Sequence, residues 1–186
     1  MTLMIEREVK LRFDSPEQAR AAIVAAGAAP LRCRRLQEDA LLDTADESLR
    51  RRQCALRIRT EAGKSLLTFK GPVQPGSMKM REEHETVIGD GEVLQHVFEE
   101  LGLHVWFRYE KYREEFAAED VTIAIDETPV GTFVEIEGGE QGILAMAQAL
   151  GRSPADFILD SYRSLFVSHR DKFGLHTDNM VFSDEE

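Results

Sequence analysis

Little in this chain identifies it at a glance. Two cysteines, Cys33 and Cys54, occur in 186 residues. They lack metal-ligand spacing, and a chain of this length does not depend on one disulfide, so both are expected to be packing residues in a reducing compartment. Five histidines are scattered, with no two at ligand spacing, so zinc has no obvious ligands. No apolar run approaches the length needed to cross a membrane. The first residues are charged and lack the apolar stretch of a secretory leader, which places the expected home in the cytoplasm. No internal repeat or low-complexity segment occurs. Basic charge is also in deficit. A net charge of −11 argues against a nucleic-acid polymer or an anionic membrane as the main partner, without excluding a local basic site.

What is present is a globular composition with excess charge: 42% hydrophobic and 31% charged residues, enough to bury one sizeable core. One domain is expected over residues 1–176. An acidic tail would follow over 177–186, its last residues, Ser183 to Glu186, being a frayed end. Helices are expected at four places. Ser15, Pro16 and Gln18 form a capping signal for a helix stopping near Gly27. "GEVLQHVFEELG" carries a stripe of Val93, Leu94, Val97, Phe98 and Leu101. "QGILAMAQALG" ends at Gly151. A fourth helix is expected from Ser153 and Pro154 through to Gly174.

Between the helices the apolar period falls to two, as in half-buried strands. In "MIEREVKLRF", Glu6, Glu8, Lys10 and Arg12 share one face, opposite Ile5, Val9, Leu11 and Phe13. The same split puts Arg57, Arg59 and Glu61 together, then Lys70, then Lys79, Arg81, Glu83 and Glu85. It continues with Lys111, Arg113 and Glu115, with Asp126, and with Glu135 and Glu137. A further strand near "EDALLDT" is less clearly patterned. Helical stripes would cover the apolar faces, leaving the charged faces on the other side.

Two architectures fit this pattern. In one, an open sheet shows salt-bridged charge to water. In the other, the sheet closes with its charge inside. Unpaired buried ions cost several kcal/mol each, so such an interior must be wet and neutralised by ligands. Glu6 and Glu8 are two residues apart, so their side chains point the same way about 7 Å apart. Glu135 and Glu137 repeat the arrangement. Carboxylates gathered in this way need a cation, and oxygen ligands suit Mg2+ or Mn2+. Arg57 and Arg59 offer forked donors suited to phosphoryl oxygens, with lysines adding point charge.

The ordered series "EREVK", "LRIR", "TFKGP", "REEHE", "EKYREEF", "AIDETPVGTFVEIEG" and "DSYRSLF" resembles the CYTH superfamily of triphosphate tunnel metalloenzymes. The resemblance runs from Ile5 to about Lys172. It implies an α+β fold: a closed barrel of eight antiparallel strands with a charged tunnel inside and helices packed outside. It also implies that Glu6, Glu8, Glu135 and Glu137, joined by Asp126, hold the divalent metal. Lys10, Arg57, Arg59, Lys70, Arg81 and Arg113 would bind phosphate. Lys111, Arg113 and Lys172 would act in catalysis, with Arg163 or Arg170 as alternatives to Lys172. Glu83 and Glu85 resemble further tunnel acids.

The family includes hydrolases of inorganic tripolyphosphate and thiamine triphosphate, RNA triphosphatases and class IV adenylyl cyclases. The expected substrate is therefore a small triphosphate-containing molecule. Metal-dependent hydrolysis is the first expectation, and cyclisation of ATP to cyclic AMP the second. A non-catalytic polyphosphate or nucleotide sensor is the third, disfavoured by the intact carboxylates. Trp106 and Phe107 read as packing or rim residues. The run Arg50 to Arg52 reads as a solvated turn or as an anion-gathering flank of the entrance. An exposed apolar rim would allow a homodimer.

Overall fold

A computed structural model of the chain describes residues 5–175 and 177–183. Eight strands close into one antiparallel barrel. They are β1 (Ile5–Phe13), β2 (Ala29–Thr44), β3 (Ala55–Glu61), β4 (Lys64–Lys70), β5 (Lys79–Ile88), β6 (Leu103–Ala118), β7 (Val121–Thr128) and β8 (Gly131–Gly138). Around the barrel the order is β1-β5-β4-β3-β2-β6-β7-β8, so the first strand joins the last. Most neighbours are hairpins. At the β3–β4 turn, Ala62 and Gly63 both take positive φ, +47° and +75°, as a two-residue primed turn requires. Gly138 ends β8 at φ +151°, where an added Cβ would lie 2.5 Å from the Asp120 carbonyl oxygen, so only glycine fits.

The helices are α1 (Pro16–Ala25), the single turn α2 (Ser48–Arg51), α3 (Gly91–Glu100), α4 (Glu140–Ala149) and α5 (Tyr162–His169). Ser15 caps α1 by accepting a hydrogen bond from the Gln18 N–H at 3.2 Å, as its sequence signal indicated. The main core lies outside the barrel. Val9, Leu11, Ile123 and Ile136, on the outward faces of β1, β7 and β8, meet Ile23 of α1 and Ile143 of α4. All six are fully buried, and each such side chain contributes about 1.5–3 kcal/mol. A second cluster closes one end of the barrel, where Phe107 and Phe133 pack against Tyr162, Leu165 and Phe166 of α5 and against Met180.

Several expectations are corrected. The fourth helix is not continuous. Pro154–Asp156 form a 3-10 turn, and then the chain extends so that Ile158 exchanges backbone hydrogen bonds with Lys10 at 3.2 and 2.9 Å. The free edge of β1 beyond Glu8, where β5 no longer pairs, takes up this segment instead of allowing a helix. Ser161 then restarts the chain as α5 by accepting from the Ser164 N–H. The boundary expected at residue 176 falls inside the folded unit, because buried Met180 bonds to the backbone of Arg108 and Glu110 on β6. Asp184 to Glu186 of the acidic tail, like His176, lie outside the described residues. Cys54 is buried as expected, but Cys33 is exposed. In the α3 stripe, Leu94 and Phe98 are half-buried while Val93, Val97 and Leu101 stay exposed. Among the described residues no helix is long and apolar enough to cross a membrane.

Candidate active site: a charged tunnel

The alternation seen in the sequence turns the charged side chains inward. They line a cavity of about 1240 Å³ through the barrel. Glu6, Glu8 and Lys10 of β1, Arg57 and Arg59 of β3, Lys70 of β4, Arg81 of β5, Lys111 and Arg113 of β6, and Glu135 and Glu137 of β8 all line it. Glu83 and Glu85 do so too. Two predicted site residues do not. Lys172 is exposed on the 3-10 turn Arg170–Phe173, away from the lining, whereas Arg163 stands at one mouth. Asp126 is fully buried behind the lining.

Two buried aspartates organise the cations. Asp126 accepts from Lys111 at 2.8 Å, from both forks of Arg113 at 2.7 and 2.5 Å, and from the Tyr162 hydroxyl at 2.5 Å. Burial pushes its carboxyl up, but Arg113 and Lys111 prevail and hold it below its ordinary range. With its oxygens so occupied, Asp126 serves here to aim two cations, not to face the cavity. Asp39 does the same on β2, accepting hydrogen bonds from Arg59 at 2.9 and 3.1 Å and standing as an ion-pair partner 3.3 Å from Arg57. Arg59 is therefore held as an ion-pair partner of Asp39. Arg81 donates to the backbone oxygens of Gly71 and Gln53 at 2.9 and 2.8 Å, which ties down the connection after β4.

The carboxylates divide into two groups. Glu8 pairs with Lys10 at 3.2 Å and with Lys79 at 2.7 Å. Burial opposes its ionisation, yet these lysines hold its carboxyl well below the usual range. Glu135, between Lys10 at 3.1 Å and Arg113, is likewise held down against burial. Glu6 and Glu137 behave oppositely. At Glu6, burial, with Glu8 and Glu83 adding repulsion, pushes the carboxyl up to about 7. Glu137, although exposed at its mouth, is pushed up to about 7 by partial loss of solvent and repulsion from the same two carboxylates. Lys70 offsets this in part at Glu6, bonding it at 2.6 Å. Among the described residues no cation stands within ion-pair distance of Glu137, which lies at a mouth beside Glu8 in the β1–β8 register. Lys111 is the counterpart among the bases: burial and Arg113 lower it to about 8.

Four lining or supporting residues escaped the sequence reading as site members. Lys79 sat on a charged face but was given no role. Arg35 and Asp39 lie on β2, whose alternation was unclear, although "RLQED" places Arg35, Gln37 and Asp39 on one face. Tyr162 fell in the supposed continuous helix. The pairing of Asp39 with Arg59 across β2 and β3 would have followed from recognising that strand.

Oxygen donors of this kind suit a hard divalent cation. The raised Glu6 and Glu137 mark excess negative charge that a cation would relieve. Among the described residues no three such side chains stand together at ligand spacing, and lysines pair with Glu6 and Glu8.

Known proteins resemble this chain in sequence or in fold. A Methanocaldococcus jannaschii protein named as a candidate adenylate cyclase is 33% identical over 135 residues, which is 72% of this chain and 77% of that one. Among solved structures, a Vibrio parahaemolyticus protein described in the same way aligns at a TM-score of 0.77 with 21% identity. It covers 89% of this chain and 99% of its own. A Hippeastrum protein, described as a candidate adenylyl cyclase with dominant triphosphatase activity, aligns at 0.65 with 19% identity over 88% of this chain and 95% of its own. The CYTH domain model matches residues 4–162, and this chain belongs to the CYTH domain family.

Proposed function

We propose that this protein is a divalent-metal-dependent hydrolase of a triphosphate, either inorganic tripolyphosphate or a small organic triphosphate. The observation that carries the reading is the tunnel itself, in which forked arginines and lysines share one cavity with under-neutralised carboxylates. Glu6, Glu8 and Glu137 would hold Mg2+ or Mn2+, with Glu135 nearby. When bound, the metal would withdraw charge from phosphate oxygens.

The chain's own groups supply the rest. Arg57, Arg59, Lys70, Lys10 and Arg113 bind phosphate oxygens and fix the chain of phosphates along the cavity. Asp39 and Asp126 keep the arginines pointed before any ligand arrives, so little reorganisation is needed when charge builds on the leaving phosphate. Lys111, at about 8, can hold or release a proton near neutral pH. In the net step water attacks the terminal phosphorus, the P–O bond to the adjoining phosphate breaks, the diphosphate end of the substrate leaves, and the terminal phosphorus is released as orthophosphate with a proton from the water. The 33% identical relative named as a candidate cyclase favours the second reading, in which the ribose hydroxyl of ATP attacks the α-phosphorus and pyrophosphate leaves.

Product analysis separates these readings. The protein is incubated with tripolyphosphate, thiamine triphosphate and ATP, each with Mg2+ and then Mn2+. Orthophosphate is expected; cyclic AMP with pyrophosphate would establish the cyclase, and no product from any of them would leave a sensor. Glu137→Gln is expected to abolish metal-dependent turnover while the melting temperature holds. Near-normal rates in that variant would remove Glu137 from the metal site.

A further inference from the structure

One mouth of the tunnel has chemistry that phosphate does not need. Between β2 and β6 the register runs from Leu41 opposite Phe107 to Leu42 opposite Val105, which leaves Trp106 as the extra residue of a β-bulge. A bulge re-aims a side chain, and both Trp106 and its neighbour Phe107 meet the end of the barrel covered by α5. Two guanidinium groups lie over the Trp106 ring: Arg50 at 4.2 Å and Arg163 at 4.9 Å from its centroid. Arg50 is held by buried Asp43 at 3.1 Å and by Glu47 at 2.9 Å, so its charge is already balanced. Arg163, half-buried on α5, has no carboxylate partner among the described residues. Arg50, Trp106 and Arg163 line both the tunnel and a side cavity of about 330 Å³ that adjoins it. The layer thus faces two neighbouring spaces.

We propose that this Arg50–Trp106–Arg163 layer is a specificity subsite for a neutral heteroaromatic ring attached to the triphosphate, of the kind a nucleoside triphosphate carries. The inference rests on the triphosphate reading of the tunnel. Guanidinium planes and an indole stack on flat π-faces, and an inorganic phosphate chain would make no use of the indole. The charge of Arg163, which no carboxylate among the described residues pairs, also discriminates among rings. It repels a cationic ring such as the thiazolium of thiamine triphosphate and accepts a neutral base. Arg57, which lies opposite Leu41 as Phe107 does on the other side of β2, reaches the Tyr109 hydroxyl at 3.4 Å and lines the same tunnel as the layer.

Trp106 is the only tryptophan in the chain, so its fluorescence reports on this layer alone. The wild-type protein and Arg163→Gln are titrated with the slowly hydrolysed ATP analogue adenosine 5′-(β,γ-imido)triphosphate, with thiamine triphosphate and with inorganic tripolyphosphate. Calorimetry gives the affinities. The analogue is expected to change Trp106 emission and tripolyphosphate to leave it alone, with thiamine triphosphate binding more weakly than the analogue. Arg163→Gln should lower the analogue's affinity relative to that of tripolyphosphate by roughly tenfold, as loss of a base-stacking contact would. Trp106→Phe, which keeps a ring and the fold, should preserve more of that preference than Trp106→Leu. Binding of the analogue with unchanged emission and an unchanged affinity ratio in Arg163→Gln would overturn the subsite and leave the tunnel reading standing. Failure of all three compounds to bind would overturn both.

Discussion

Asp39 and Asp126 differ from Glu6 and Glu137 although all four belong to the same barrel wall or its lining. The two aspartates are sealed, each gripped by two cations, and are held below their ordinary range. The two glutamates reach into the cavity with less compensation and are pushed up to about 7. Chain length explains part of the contrast. A short aspartate stays beside its strand, where neighbouring strands deliver Arg59 or Arg113 in register. A glutamate is long enough to present its charge to whatever occupies the centre. One pair therefore sets the direction of the cations before ligand arrives, and the other keeps charge that Lys70 balances in part at Glu6 and that no cation among the described residues pairs at Glu137.

The largest expected effect tests the sealed pair. Asp126→Asn leaves Lys111 and Arg113 facing each other with a counter-charge missing, and such a loss in a buried network costs about 3–5 kcal/mol. Urea unfolding should reveal it. A change below about 1 kcal/mol would mean that Asp126 is not the organising anion and would erase the contrast. Arg59→Ala should be milder, roughly 1–3 kcal/mol in the same assay, because Arg57 still partners Asp39. Stability equal to wild type would return Arg59 to the role of a free phosphate ligand.

The smallest effect concerns the open pair. Glu6 and Glu137 bind protons more tightly folded than unfolded, so metal-free protein should lose stability as pH rises from about 4.5 to about 7. The aspartates and Glu135, shifted the other way, withdraw their contribution only as pH falls below the ordinary carboxylate range. Calorimetry in EDTA should show a decline of a few degrees in melting temperature across that window. Excess Mn2+ should reverse the decline above pH 7, since an ion bound only by the folded state stabilises it. A melting temperature that rises through the window, or ignores the metal, would contradict the assignment of these glutamates.

Much of this was legible from period two. The strands around Glu6, Arg57, Lys70, Arg81, Arg113 and Glu135 each announce a charged and an apolar face, and the family resemblance chose the closed barrel over the open sheet. What stayed hidden depended on partners distant in sequence. The first half of β2, "APLRCRRL", breaks alternation with Pro30 and irregular register, so Asp39 went unread as the anion of Arg57 and Arg59. Residues Pro154 to Phe173 look helical locally, but the unpaired edge of β1 draws Ile158 into an extended segment. That tertiary demand also sets Tyr162 over Asp126. No local signal separates a lysine such as Lys172 on an exposed turn from one aimed into the tunnel.

Because Glu8 finds Glu137 where β1 meets β8, the first strand of the barrel waits for its last before the wall is whole. A partly synthesised chain therefore shows open strand edges and unopposed rows of charge for much of translation. Such long-range closure is intrinsically slow, and it makes assembly of the pocket the final event of folding, not an early one. Any shortened product lacking β8 would be born without a binding chamber, however well its earlier hairpins form.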